Sequence, residues 1–361
     1  MTKNLIKDTK PIRPGEELNI VSLTEYLEKN LVDFPEKLDF PQIKLEQFPG
    51  GHSNLTYLVK IGEHEFVLRR PPFGPVAPTA HDMPREFRLL SMVNPHFNLA
   101  PRPYLLCEDI NIIGAHFYLM ERQKGWIIRR SLPEGFTADL ETRRQISLAM
   151  IDTLARLHSV DIYATGLDKI GKPLGFVSRQ VKGWSERWQR AKTTTVPAME
   201  TVMLWLNEHM PPESVPSTLV HNDFKLDNVI LAANEPNQVI GVLDWEMSTV
   251  GDPLIDLGVF LGYWSQAKDP VARRESISPV TCEAGWLTRE ELITRYGEKT
   301  GRDLSHIVFY ETFAIFKLAV VLQQIYYRYA CGQTKDERFK EFEQVVIGLA
   351  DAAMELKLTY R

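Results

Sequence analysis

With 361 residues, 44% hydrophobic and 25% charged, the chain has the composition of a globular protein long enough for two lobes with substantial cores. A net charge of −5 argues against a dedicated nucleic-acid binder, which would be basic, and the three distant cysteines, Cys107, Cys282 and Cys331, show no metal-ligand spacing and suit a reducing compartment. The opening MTKNLIKDTK lacks the apolar core of a signal peptide, and the most apolar stretch, 307–327, is interrupted by Glu311 and Lys317. A cytoplasmic location, a buried helix and no membrane partner are therefore expected.

In chain order, residues 1–20 read as an irregular lead-in. Ser22 and Glu25 have capping-box spacing before a helix carrying Leu23, Tyr26, Leu27 and Leu31, which Phe34-Pro35 ends. Strands are predicted over 43–48, 56–61 and 65–70, the first two joined through Gly50-Gly51. A Gly-rich turn between two strands, with a third strand ending in a cation, is the organisation of a loop that covers a nucleotide. A helix over 84–93 places Phe87, Leu90 and Val93 on one face. Strands over 104–108 and 116–120 follow, and the polar run Glu121–Gly125 reads as the hinge to a mainly helical remainder. Helices are predicted over 141–159, 180–192, 198–209, 254–264, 289–296, 307–329 and 338–358. The expected architecture is α+β and two-lobed, with a small β-rich lobe over 1–122 and a larger helical lobe over 123–361.

The segment Leu219–Leu231 reads LVHNDFKLDNVIL and contains H-x-D-x-x-x-x-N as His221, Asp223 and Asn228; Asp244 then opens D-W-E after an apolar run. Short strands at 219–220 and 229–231, the latter paired with 239–243 across a polar turn, would hold these groups on rigid supports. Moving a γ-phosphoryl group needs charge neutralisation and in-line positioning more than covalent chemistry. Magnesium prefers oxygen ligands, which Asn228 and Asp244 offer. A second carboxylate, Asp223, suits the task of orienting an acceptor hydroxyl and taking its proton. Lys225 is placed to reach the transferred phosphoryl as a point charge. His221 reads as a structural histidine, Asp256 as a brace stabilised near a helix start, and Glu246 as a carboxylate able to share Asp244's face of an extended segment.

At these residues the chain resembles the aminoglycoside phosphotransferase and choline kinase family, a branch of the protein-kinase-like fold. The loop is H-N-D instead of H-R-D and the metal motif D-W-E instead of D-F-G. Gly251-Asp252-Pro253-Leu254-Ile255-Asp256-Leu257-Gly258 also resembles that family. Arg13-Pro14-Gly15, Gly50-Gly51-His52-Ser53-Asn54, Val67-Leu68-Arg69-Arg70-Pro71-Pro72 and Val196-Pro197-Ala198-Met199-Glu200 resemble the kinase-like domain associated with acyl-CoA dehydrogenases and its free-standing bacterial relatives.

The resemblance implies ATP and magnesium as cofactors. It places Arg69 where protein kinases carry a phosphate-binding lysine, with Glu86 as its ion-pair partner. Gly50, Gly51, Ser53 and Asn54 then form the phosphate-covering loop, and Met120 and Glu121 lie on the nucleotide side. A small-molecule hydroxyl acceptor is implied, in this subgroup a hydroxyacyl compound or hydroxyacyl-CoA. Bland alternatives stand beside these assignments: a solvated Arg69, a surface Glu86, and a plain hairpin turn at Gly50-Gly51. The basic run Arg179, Lys182, Arg187, Arg190 and Lys192, with Trp184 and Trp188 interleaved, reads as a solvated cationic helix face with inward tryptophans; the sharper reading is a site for a phosphorylated handle such as coenzyme A. A catalytically weak nucleotide-binding regulator and an aminoglycoside or amino-alcohol kinase are the rival functions. No A-P-E segment follows D-W-E, which disfavours a protein kinase. Nothing in the pattern specifies an oligomeric state.

Overall fold

The computed structural model describes residues 8–32, 34–36, 38–49, 54–74, 81–213, 216–276, 278–334 and 336–359. The chain divides into two compact units, one of residues 1–126 with 240–246 and one of 127–239 with 247–361.

The smaller unit is built on a five-stranded antiparallel sheet of order β1-β2-β3-β5-β4, with β1 at Ile43–Gln47, β2 at Leu55–Ile61, β3 at His64–Arg70, β4 at Pro103–Cys107 and β5 at Phe117–Glu121. Alternating apolar residues of these strands, among them Tyr57, Val59, Phe66, Leu68 and Leu119, close one core with Leu23, Leu27 and Leu31 from helix α1 (Ile20–Asn30). The cap of α1 corrects the sequence reading. Asn19, and not Ser22, is the N-cap, and its side chain accepts the Ser22 N–H, because the helix begins three residues earlier than the capping-box spacing suggested.

Helix α2 (Met83–Val93) starts at Asp82, which accepts the Arg85 N–H, and packs against β4 and β5. Its buried face is Met83, Glu86, Leu89, Leu90 and Val93, so a carboxylate, not Phe87, lies on the inner stripe. Between β4 and β5 the expected turn contains a short helix, α3 (Ile110–Ile113), ended by Gly114 at φ +80°.

The larger unit is mainly helical: α4 (Leu140–Leu157), α5 (Phe176–Ala191), α6 (Pro197–Glu208), α7 (Pro253–Tyr263), α8 (Val271–Ser276), α9 (Arg289–Thr300), α10 (Ile307–Ala330) and α11 (Phe342–Lys357). The stripe Ile146, Met150, Leu154 and Leu157 of α4 is fully buried, as its spacing requires. The stretch expected to be one helix over 338–358 instead opens with a 3-10 turn, Glu337–Glu341, before α11. Helix α10 packs against α5, α6, α7 and α11, and is the one described helix long and apolar enough to cross a membrane; 78% of its apolar window is buried inside the protein, as in a core helix.

The charges that interrupt α10 are compensated at one end, where Glu311 accepts from Arg273 at 2.6 Å and Arg289 meets Asp269 at 2.7 Å. Three short strands complete the unit's framework: β6 (Thr218–Val220), β7 (Val229–Leu231) and β9 (Thr249–Gly251), with β8 (Val239–Val242) carrying the chain onward. The hairpin turn after β7 is closed by Ala232 N–H donating to Gln238 O at 2.9 Å. The β6–β9 pairing was not anticipated from the sequence. A three-residue strand is too short to show a period, and its Gly251 is there because a Cβ would lie 2.6 Å from the Phe176 ring.

Candidate active site

In the smaller unit, β3 ends by presenting Arg69, flanked in the sheet by Thr56 and Tyr118. Its guanidinium is buried and held by three carboxylates. Nε lies 3.4 Å from Glu86, and Nη2 lies 2.6 Å from Asp244 and 3.3 Å from Glu246. The solvated reading of Arg69 and the surface reading of Glu86 both fail: the residues are 9% and 2% exposed. Burial alone would pull the Arg69 pKa down, but Glu86 and Asp244 outweigh it and raise it well above the usual value. Burial pushes Glu86 up to about 7 against the opposing charge of Arg69.

Asn54 donates to Glu246 Oε2 at 2.7 Å and shares its Oδ1 with His81 Nδ1 at 2.8 Å. Gly50, Gly51 and Ser53 lie outside the described residues. Met120 is buried in β5, and Glu121 exchanges bonds with Arg102, its N–H donating to Arg102 O at 2.8 Å.

Asp244 adopts φ +68°, a left-handed conformation costly for a side chain with a Cβ. Trp245 anchors it: the indole is buried, donates to Val242 O at 2.8 Å and meets Phe97 edge-on, while Val242 N–H bonds to Leu99 O. The strand ends at Val242 and Trp245–Met247 forms a 3-10 turn, so Asp244 and Glu246 do not share one face of an extended segment as expected. They meet instead by folding onto the same guanidinium nitrogen.

In the larger unit, the loop between β6 and β7 is clamped from below by Asp256, near the start of α7. One carboxylate oxygen accepts the His221 N–H and the other the Asn222 N–H, each at 2.5 Å, and His158 Nε2 lies 3.3 Å away. Burial would raise the Asp256 pKa, but the bonds from His158 and the nearby His221 hold it below the ordinary carboxylate value. His158 in turn contacts Tyr296 Oη at 2.7 Å. Asn222 takes φ +65°, its carbonyl accepts from Lys317 Nζ at 2.6 Å, and its amide donates to Met247 O at 2.9 Å.

This turn presents Asp223. Asn228 Nδ2 donates to Asp223 O at 2.8 Å and Oδ2 at 3.0 Å, which leaves the Asn228 carbonyl oxygen on the far side of the amide. Lys225 Nζ pairs with Asp223 Oδ2 at 2.9 Å and stands over the Tyr263 ring at 4.7 Å. Burial would lower Lys225, but Tyr263 and Asp223 outweigh it and raise it. Beside Lys225 is a cavity of about 140 Å³, lined also by Leu226, Asp227, Phe260, Tyr263, Trp264 and Ser278.

The donor sets fit a magnesium nucleotide. Around Arg69, one cation faces three carboxylates, an excess of negative charge that suits a divalent ion. Among the described residues no cluster of three acidic, histidine or cysteine side chains forms a closed cage. Magnesium needs none, since it keeps waters and phosphate oxygens and takes only one or two protein ligands. Sequence reading did not find Asn222, Trp245, Tyr263 or the role of Lys317. The one available signal was Lys317 itself, a lysine inside an apolar helix, where a charge is retained only with a partner.

A model of the phosphotransferase enzyme family matches residues 44–278. Acyl-CoA dehydrogenase family member 11 of Rattus norvegicus is 34% identical over 99% of this chain and 45% of its own length. Acyl-CoA dehydrogenase family member 10 of Mus musculus is 35% identical over 96% of this chain and 32% of its own. The chain thus spans less than half the length of these curated relatives. A candidate aminoglycoside phosphotransferase from Ralstonia eutropha JMP134 superposes with a TM-score of 0.79 at 28% identity, covering 96% of this chain and 100% of that one. Aminoglycoside phosphotransferase APH(4)-Ia, solved with AMP-PNP and hygromycin B, shares the fold with a TM-score of 0.57 at 17% identity over 94% of this chain and 99% of its own. The resemblance read from the motifs holds, and the chain belongs to the phosphotransferase enzyme family, with its kinase-like fold of a five-stranded sheet and a mostly helical remainder.

Proposed function

We propose that the protein is an ATP- and magnesium-dependent phosphotransferase acting in the cytoplasm on the hydroxyl group of a small molecule, in the first place a hydroxyacyl compound or its coenzyme A thioester. The observation that carries this reading is the catalytic loop: Asp223 is held between Asn228 and Lys225 on a turn whose backbone Asp256 clamps. Asp223 accepts the proton of the acceptor hydroxyl as its oxygen attacks. Asn228 and Asp244 would each offer magnesium a side-chain oxygen. Arg69, fixed by Glu86, binds phosphate oxygens, with the backbone N–H groups of Gly50, Gly51, Ser53 and Asn54, and Met120 and Glu121 border the nucleotide. Lys225 steadies the transferred group as a point charge. When bound, the magnesium nucleotide supplies the phosphoryl group and offsets its charge.

The relatives' association with acyl-CoA dehydrogenases supports a hydroxyacyl acceptor. An aminoglycoside kinase is the second reading, supported by the likeness to the candidate aminoglycoside phosphotransferase of Ralstonia eutropha JMP134. Polyammonium acceptors need an acidic pocket, which the cations beside Asp223 disfavour. The deciding experiment measures ADP release from ATP with hydroxyacyl-CoAs, amino alcohols and aminoglycosides. Turnover with a hydroxyacyl compound that Asp223→Asn lowers by about 10²-fold or more is the expected result. ATP binding with no turnover on any alcohol would instead favour a regulator.

A further inference from the structure

Trp184 of α5 carries two cations on its indole. The Arg187 guanidinium lies over the ring at 4.6 Å from the centroid, and Lys317 Nζ of α10 lies over it at 5.4 Å. Trp184 is 6% exposed and Lys317 8%, whereas Arg187 is exposed, so the pair runs from solvent to the interior. Lys317 ends on the carbonyl of Asn222, the residue before Asp223. Among the described residues neither cation makes an ion pair, whereas the buried cations that meet α10 further along do: Arg273 of α8 and Arg289 of α9 both meet Glu311. Lys225 is already matched by Asp223, and Asp256 is committed to the His221 and Asn222 N–H groups. Lys317 therefore stands beside the loop, and Arg187 on the same indole, without a contacting carboxylate among the described residues, although Asp223 and Asp256 act on Lys317 at longer range. A buried ammonium with spare N–H donors is costly unless something satisfies it.

We infer that Arg187, Lys317 and the Trp184 face between them form an anion subsite for the acceptor, selecting alcohols with a negatively charged group a short chain away from the reacting hydroxyl. This rests on the kinase reading above and sharpens it. The Trp184 face packs the intervening carbons, and Lys317 and Arg187 take the anion, which is either the carboxylate of a free hydroxy acid or a phosphate of a coenzyme A handle. The subsite draws on the solvated cationic face expected for α5, where Arg179, Lys182, Arg187, Arg190 and Lys192 are all exposed and Trp184 and Trp188 are buried. It also leaves out Arg190, which borders a separate shallow depression with Lys182, Gln189 and Asn207.

The test uses the full chain and hydroxyhexanoates with the hydroxyl at carbon 3, 4 or 5, each as free acid, coenzyme A thioester and neutral N-ethylamide. ADP release is measured with ATP, and binding of each compound is measured by calorimetry without nucleotide. The expected result is anion-selective binding and turnover, with Arg187→Gln narrowing the anion-to-amide ratio about tenfold, the value of one close charge contact. Arg144→Gln, which removes one surface charge elsewhere, leaves the ratio in place. Preference for the acid identifies a carboxylate, and preference for the thioester identifies the handle's phosphates. Equal binding and turnover of acid, thioester and amide overturns the subsite and keeps the kinase reading. Anion-selective binding that Arg187→Gln weakens, without ADP release, keeps the subsite and overturns the kinase reading. No anion-selective binding in any series, or a ratio untouched by Arg187→Gln, overturns the subsite.

Discussion

Asp223 keeps its place through neighbours whose own positions are fixed: Asn228 bonds both its carboxylate and its carbonyl, and Lys225 closes the other side. Asp223→Asn removes the proposed proton acceptor while preserving shape, so kcat should fall about 10²–10⁴-fold with ATP affinity by calorimetry unchanged. An undiminished kcat would sink the assignment of Asp223 as base. At Arg69 the expected effects separate charge from geometry. Arg69→Ala leaves Glu86, 2% exposed, without its cation, which costs on the order of 3 kcal/mol in urea unfolding. Arg69→Lys keeps the charge but cannot span Glu86, Asp244 and Glu246 together; its KM for ATP should rise while most stability is retained. Equal stability of all three proteins would show that the cluster contributes nothing to the fold.

Among the elements, α7 and α10 matter most to the loop, because α7 supplies Asp256 and α10 supplies Lys317. Their packing depends on glycine. A Cβ on Gly258 would come within 2.5 Å of the Tyr310 carbonyl oxygen, and one on Gly262 within 2.9 Å of the Ala314 methyl. Gly258→Ala therefore forces the helices apart, and the urea midpoint should drop by an amount equal to about 3 kcal/mol at unchanged slope. An unchanged midpoint would mean the pair tolerates separation. The same scale shows where sequence reading succeeds. Strands β2 and β3 and helices α4 and α10 fell within a few residues of their expected bounds, since each carries a long, regular apolar pattern. The Asn19 cap, the strand β9 and the short helix α8 did not, because each is defined by partners brought in from elsewhere or is too short to have a period.

For the molecule as a whole, the buried Asp256 links stability to pH. Its pKa is depressed in the folded protein, so its contribution is full above the unfolded carboxylate value of 3.8 and is lost as pH falls through the lower folded value. Asp256→Asn should cost on the order of 3 kcal/mol near neutrality, since it replaces an ion that accepts two backbone N–H groups. The gap between wild type and variant should hold from pH 7 down to about pH 4 and close only below it. A gap that stays constant in acid would mean that Asp256 is not ionised in the fold.

The residue types and spacing of His221, Asp223, Asn228 and Asp244 pointed to phosphoryl transfer, because that chemistry demands particular donors, and their resemblance to the phosphotransferase family implied the kinase-like fold. A net charge of −5 argued against a dedicated nucleic-acid binder on the same sequence grounds. Tertiary structure alone decided that Glu86 is buried against Arg69, that Asp244 and Glu246 converge by a turn instead of a strand, and that Lys317 reaches the catalytic loop across nearly a hundred residues of chain. Local sequence carries the preference of each residue for helix, strand or turn. It carries no record of which distant group will satisfy a buried charge, and in this protein those distant pairings determine the electrostatics of the site.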